Sequence, residues 1–313
     1  AEAGGQVSDT GMLTFVSKNG QTQTLSVLDV QTFAGFLLHT CVVHQDDDAR
    51  SIEGFGVGAE VHPHVDYSSR RKVAPNHTMT HVLNFALRKV LGNDVDQKGS
   101  HVSEDKLRFD FNTKRAMTAE QILETERIIN DTISKEYNVN TKVVALDDAL
   151  QINGLRAVFG ETYPDPVRVV SIGASIPSMV DCPSNEEWKD YSVEFCGGTH
   201  LANTREAMSC CIIEETAIAK GVRRIFAVTG FAAKAAVVRG AGLQSEARHC
   251  ATAVAQLDKN SHLSDLETRI IKLRSDLDAA VISQGLKISL RKDVEGMQKH
   301  VHSLQKDVLR KAV

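Results

Sequence analysis

The chain has 313 residues, 42% of them hydrophobic and 24% charged, with a net charge of −4. That composition suits two or three folded domains around substantial cores and excludes collagen-like, wholly disordered and supercharged chains. The six cysteines are scattered without a paired framework, which points to a reducing setting, cytoplasmic or, for an isoform, mitochondrial, and no run approaches the ~18–20 apolar residues of a membrane span.

Residues 1–65 alternate short apolar runs with turns: Met12–Val16, Leu25–Val30 and Phe36–Val43. Too short for free-standing helices and rich in Val, Thr and Phe, they read as strands of a partial small β-barrel. Gly4-Gly5 marks a tight backbone path at its entry. The chain opens on Ala1 rather than Met and shows no signal-peptide regions, so it reads as a piece of something longer.

A helix follows, with Pro75-Asn76 as its start signal, apolar positions from Met79 to Leu91 at helical spacing, and Gly92 as its stop. Leu107–Phe111 alternates as a strand does, and Thr118-Ala-Glu-Gln121 is a capping box opening a second helix to about Tyr137. Further strands are expected near Val143–Leu146, Val167–Ile172, Cys210–Ile213 and Ile225–Val228. Strands and helices without a βαβ rhythm argue for an α+β core. Residues 231–313 carry a local charge of +5 against −9 for the remainder. There, Leu263 to Leu277 and Val294 to Val308 step by three and four, with a phase break near Gly285. This predicts a C-terminal helical hairpin or short coiled coil, with a pair of amphipathic helices resting on the domain as the plainer alternative. The expected division is thus 1–65, 66–230 and 231–313.

Two short motifs carry the chemistry. His77-Thr-Met-Thr-His81 sets two imidazoles one helical turn apart, and Cys196-Gly-Gly-Thr-His200 adds a thiolate and a third imidazole around flexible glycines. His77, His81, Cys196 and His200 together form an N/S donor set suited to one Zn2+ ion. A zinc-protease reading fails because Thr78 stands where the general-base Glu belongs; a purely structural zinc site remains the plain alternative. Thr80, Asn84 and Arg88 share the helix side of the two histidines, for which the ordinary explanation is a solvent-facing polar stripe. Thr80 lies between the histidines in projection, and its hydroxyl is placed to meet a small polar group near the metal. Gln97, just beyond the helix, is a second candidate contact.

Arg70-Arg71 ahead of the histidine pair, Ala86–Gly92, Gln97-Lys-Gly-Ser100, Leu107–Phe111, Val167–Gly173, Glu194-Phe-Cys-Gly-Gly-Thr-His200 and Ala227–Gly230 together resemble the editing domain of alanyl-tRNA synthetases. The Cys-Gly-Gly-Thr-His match is specific to that family and its freestanding editing relatives; the threonyl-tRNA synthetase editing domain resembles the flanking blocks less. The stretch Ala174–Tyr191 resembles the eukaryotic branch. The resemblance runs from Ala1 into the helical tail. It implies zinc-dependent hydrolysis of the ester joining serine or glycine to tRNA(Ala). His77, His81, Cys196 and His200 match the family's zinc ligands, and Thr80 and Gln97 match positions around the substrate amino acid; Thr80, Gln97 and Cys196 are therefore the candidate catalytic residues. It also implies that this piece does not itself charge tRNA. Arg70, Arg71, Lys72, Arg88, Lys89 and Lys98 form a candidate phosphate-binding patch for the acceptor end, against ordinary surface charge scatter. The +5 tail is expected either to track tRNA or to pair with a second copy as a homo-oligomer. Two other function classes stand beside this reading: a freestanding trans-editing deacylase, and a non-catalytic tRNA-binding or oligomerisation module.

Overall fold

A computed structural model describes residues 4–17, 20–33, 36–43, 55–157, 162–257 and 263–312, apart from the side chains of 308–312. Ala1 and the Val308 side chain lie outside the described residues. In chain order the elements are β1 (Gly11–Val16), β2 (Thr22–Phe33), β3 (Phe36–Val43), β4 (His62–Val65), α1 (Tyr67–Leu91), β5 (Gln97–Val102), β6 (Leu107–Asn112) and α2 (Ala119–Ser134). They continue with β7 (Val139–Val144), α3 (Leu146–Leu150), β8 (Val167–Ile172), α4 (Ile176–Asp181), β9 (Ser192–Phe195), β10 (Cys210–Ala219), β11 (Val222–Thr229), α5 (Gly230–Ala255), α6 (Leu263–Ala279) and α7 (Gln284–Ala312). The sheets follow the orders β3-β2-β1-β4, β10-β11-β6-β5 and β7-β8-β9. The mixture is α+β, as expected, and none of its sheets closes into a barrel among the described residues. No helix among those residues is long and apolar enough to cross a membrane.

Two compact units emerge, one from residues 1–81, 99–109 and 137–204, the other from 82–98, 110–136 and 205–313. In the first, β1 and β2 pair antiparallel with Leu13 opposite Leu25, and alternate residues Leu13, Phe15, Leu25, Val27 and Val30 bury one face. Strand β3 is an edge, and Phe36, Leu37, Leu38 and Val42 on it stay exposed. The β7-β8-β9 sheet is antiparallel throughout and rests on a core that includes Ile152, Val167, Val169, Met179 and Val193.

Helix α1 begins at Tyr67, ahead of the Pro75-Asn76 signal. Asp66 provides the start: its Oδ1 accepts from the Ser68 and Ser69 amides at 2.9 and 3.3 Å, as an N-cap carboxylate does. Pro75 lies inside the helix, where its missing N–H removes one rung of the hydrogen-bond ladder. The solvent stripe also needs correction. Residues Asn76 to Asn84 are all buried, polar and apolar alike, so this stretch of the helix is surrounded rather than half-wet. The weakly patterned β4, β5 and β9 escape a reading by apolar alternation because each is short and largely polar or flanked by turns.

In the second unit the Thr118–Gln121 capping box forms in both directions, at 3.2 and 3.0 Å. Asp110 on β6 receives Arg224 of β11 through two hydrogen bonds of 2.7 and 2.8 Å, which lets a strand that alternates in sequence bury its polar residue. Among the described residues of the tail, α6 and α7 form the expected helical pair, and a further helix, α5, precedes them. Helix α5, rich in Ala and Gly, has a buried face of small residues (Ala233, Ala236, Gly240, Ala247) that leaves little apolar periodicity to read. The α6 seam of Leu266, Ile270, Leu273 and Leu277 packs with Leu290, Val294, Met297 and Val301 of α7 as the stepping predicts. Gly285 sits in the first turn of α7 rather than at the bend, because a Cβ there would stand 2.7 Å from Leu123 Cγ of α2.

Candidate metal centre

The i, i+4 spacing on α1 stacks His77 over His81, and the chain leaving β9 turns through Cys196-Gly-Gly-Thr-His200 to meet them. The donor atoms of His77, His81, Cys196 and His200 all lie within 4.8 Å of one another. The rings crowd together, with His77–His200 and His81–His200 centroids at 4.4 and 4.6 Å. His77 Nε2 faces Cys196 Sγ at 3.2 Å.

Close approach of backbone makes this crowding feasible. A Cβ on Gly198 would lie 2.1 Å from His77 Cε1, and one on Gly4 would lie 3.1 Å from Cys196 Sγ. Gly4 also has φ +61, a conformation that glycine adopts without strain. Arg168 of β8 ties down the Cys loop by donating to the carbonyls of Cys196 and Gly198 at 2.7 and 2.8 Å.

Each imidazole has an oxygen near its Nδ1. Gln6 Oε1 is 2.6 Å from His77 Nδ1, Thr78 Oγ1 is 3.3 Å from His200 Nδ1, and Glu194 Oε2 is 3.7 Å from His81 Nδ1, beyond hydrogen-bond reach. Thr78 Oγ1 also accepts from the Leu201 amide at 3.0 Å. Oxygens within hydrogen-bond reach, here those of Gln6 and Thr78, are of the kind that orient imidazole ligands in metal sites. Two buried ring nitrogens, His81 Nδ1 and His200 Nε2, have no hydrogen-bond partner among the described residues.

Burial dominates the electrostatics. It pushes His81 down to about 3, with Arg168 adding to the effect, and holds His77 and His200 well below 6.5, with the neighbouring imidazoles and Arg168 contributing. The Cys196 thiol is pushed up to about 11, again mainly by burial, against a hydrogen bond from the Gly198 amide. Neutral imidazoles are the form that binds metals, and a dication reverses the penalty on a buried thiolate. Three imidazoles, one thiol and two orphaned nitrogens in a space that side chains at Gly4 and Gly198 would fill are a fitting seat for a metal such as zinc.

The remaining residues singled out from the sequence disperse in several ways once placed. Thr80 is buried on α1, and its hydroxyl donates to the Asn76 carbonyl at 2.8 Å. Gln97 opens β5, half-buried, in the second unit. In the first unit Arg70 is committed to Asp9 through bonds of 2.9 and 2.6 Å, Lys72 pairs with Glu104 at 3.2 Å, and Arg71 is exposed. In the second, Arg88 donates to Asn93 at 3.3 Å, Lys89 lies over the Phe85 ring, and Lys98 is exposed. Reading by residue type assigned no role to Gln6, Thr78, Arg168 or Glu194. The signal was faint but present for Arg168, the one charged residue in Val-Arg-Val-Val-Ser-Ile.

Residues 167–226, which run from β8 through the Cys loop into β11, match the model of the threonyl and alanyl tRNA synthetase second additional domain. Over 99% of its length the chain is 38% identical to the cytoplasmic alanine–tRNA ligase of Dictyostelium discoideum. Over 74% of its length it is 50% identical to alanine–tRNA ligase of Candida albicans, and over an equal share it is 46% identical to the mitochondrial alanine–tRNA ligase of Saccharomyces cerevisiae. It spans 31%, 23% and 22% of those three proteins. The chain is a relative of alanine–tRNA ligases that corresponds to less than a third of their length.

Proposed function

We propose that this relative of alanine–tRNA ligases is an editing deacylase, with residues 66–230 as its hydrolytic region, acting in the cytoplasm on tRNA(Ala) mischarged with serine or glycine. The observation that carries the reading is the buried His77–His81–Cys196–His200 group, whose four donors lie within 4.8 Å. These residues would hold one Zn2+. Zinc in such a set supplies a Lewis-acidic centre that polarises an ester carbonyl or makes bound water more acidic.

The chain's own residues supply selectivity. A synthetic site for alanine cannot strongly reject serine or glycine by size, since a methyl-sized difference is worth only ~1–3 kcal/mol. Against serine, a second site succeeds by favouring the hydroxyl that alanine lacks. Thr80 already donates its proton to the Asn76 carbonyl, so its oxygen offers lone pairs and would accept the hydrogen of a serine hydroxyl. Gln97 is proposed as a further polar contact to the substrate amino acid. Exposed Arg71 and Lys98 are proposed to meet acceptor-end phosphates, with Arg70, Lys72 and Arg88 as weaker contributors because each already holds a partner.

The deciding measurement is hydrolysis of seryl-, glycyl- and alanyl-tRNA(Ala) by this chain, with and without a chelator. Rapid chelator-sensitive loss of the seryl and glycyl esters with the alanyl ester spared is the expected result; equal rates on all three would sink the reading. Thr80→Val should lower seryl hydrolysis selectively, and an unchanged seryl-to-alanyl ratio would remove the hydroxyl role. Deleting 231–313 tests the tail: loss of salt-sensitive tRNA affinity assigns it to tRNA, whereas loss of a concentration-dependent mass assigns it to a homo-oligomer.

A further inference from the structure

We propose that Gln6 is the positioning residue that fixes His77 as a metal ligand; the inference rests on the metal reading above. The side-chain oxygen of Gln6 accepts from the Thr199 amide at 2.9 Å and from the Thr199 hydroxyl at 3.0 Å, and it lies 2.6 Å from His77 Nδ1. Gln6 is buried, at 6% exposure.

The Thr199 backbone N–H can only donate, so the Gln6 atom facing it must be the carbonyl oxygen rather than the amide nitrogen. That oxygen also faces His77 Nδ1, and an oxygen without hydrogen can only accept. The proton of neutral His77 is therefore on Nδ1, and the lone pair on Nε2, the atom aimed at Cys196 Sγ. One amide oxygen thus selects the tautomer of a ligand on α1 and binds it to Thr199, in the loop that carries Cys196 and His200.

The surroundings are built for this contact. The position of a Cβ on Gly198 would lie 2.5 Å from His77 Nδ1 and 3.0 Å from Gln6 Oε1, so only glycine at 198 leaves room for the pair. Behind Gln6, the Val7 amide donates to the Val102 carbonyl at 2.9 Å and the Val102 amide to the Gly5 carbonyl at 2.8 Å. The backbone that presents Gln6 is held on both sides. Ligand-orienting partners of this kind change metal affinity by about 10–100-fold when removed.

The test compares the 313-residue chain with Gln6→Leu and Gln6→Glu. Zinc affinity is read by competition with a chromophoric chelator, the cobalt(II) form by its visible spectrum, and the His77 tautomer in metal-free protein by long-range 1H–15N correlation. The expected result for Gln6→Leu is about a 10–100-fold loss of zinc affinity, an altered cobalt spectrum and loss of the pure Nδ1–H tautomer. Gln6→Glu keeps the acceptor and should restore all three. Equal affinity and an unchanged tautomer in Gln6→Leu overturn the proposal, and so does an equal loss in both variants, which marks a packing role. A wild-type chain that binds neither zinc nor cobalt defeats the metal reading itself, whereas one that binds zinc identically with leucine at position 6 defeats only the role of Gln6.

Discussion

Two of the buried polar clusters among the described residues are finished differently. In the second unit, Glu126 of α2 accepts from the Ile212 amide at 2.8 Å and from the Ser283 hydroxyl. Asn130, one turn further on, donates to the Cys210 carbonyl at 2.8 Å and accepts from the Cys210 amide at 3.0 Å. Those groups tie α2 to β10 and to the α6–α7 corner, and their hydrogen-bonding capacity is spent inside the protein. In the first unit the histidine cluster is just as buried, yet His81 Nδ1 and His200 Nε2 are left without hydrogen bonds among the described residues. A polar group that serves the fold is expected to be satisfied by the fold, because an unsatisfied buried one costs about 1–3 kcal/mol. Unspent capacity in a glycine-cleared space fits a group of side chains that could hold a metal ion.

The sharpest way to break that contrast is to remove one central side chain from each cluster. Cys196→Ala should lower zinc affinity by about a thousandfold and abolish seryl-tRNA hydrolysis, while leaving the urea midpoint of the metal-free chain nearly where it was. A large fall in that midpoint would place the histidine cluster on the structural side. Glu126→Ala should do the opposite, lowering the unfolding free energy by about 3 kcal/mol as the Ile212 amide and Ser283 hydroxyl lose their acceptor, with zinc affinity of the folded chain unchanged. Urea titration and chelator competition on both variants read out the four quantities.

A smaller effect separates the clusters by sign. Burial raises the Glu126 carboxyl above 4.5, so between that value and its folded pKa the folded state holds more protons than the unfolded one, and stability falls as pH rises. The imidazoles lie below 6.5, so the unfolded state holds more protons there and stability of the metal-free chain falls as pH drops through 6.5. Glu126→Gln keeps an acceptor for Ile212 and should remove only the first slope. Urea midpoints across pH 4–8 check this; a Gln variant with the wild-type profile would exclude Glu126 as its source.

These clusters also mark what could be read from the residues alone. The four candidate ligands were legible because metal chemistry restricts residue type and because i, i+4 spacing and paired glycines have direct geometric meaning. The capping box was legible for the same reason, as were β1 to β3 and the α6 and α7 seams. Helix α1 was misjudged at its start because Pro75 is an ordinary first-turn residue and only the Asp66 side-chain bonds reveal the earlier cap. The burial of its Asn76–Asn84 stretch was hidden because polar residues spaced along a helix read as a wet face whether water or protein surrounds them. Helix α5 was missed as an element since packing through Ala and Gly leaves no apolar stripe. Gln6 accepts from Thr199 and Arg168 donates to the Cys196 and Gly198 carbonyls, partners distant in sequence that periodicity does not record.

The separation of the ligands along the chain has a kinetic consequence. The His77–His81 pair exists as soon as α1 does, but Cys196 lies 119 residues beyond His77, and Thr199 lies 193 beyond Gln6. Contacts at such separations form slowly, because the intervening chain must first be drawn closed. A refolding chain should therefore pass through an early stage with two imidazoles on a helix and a late one in which the remaining donors arrive. Tight metal uptake would then be a clock for the last step of folding, and its rate should follow the docking of the Cys196 loop rather than the growth of the helix.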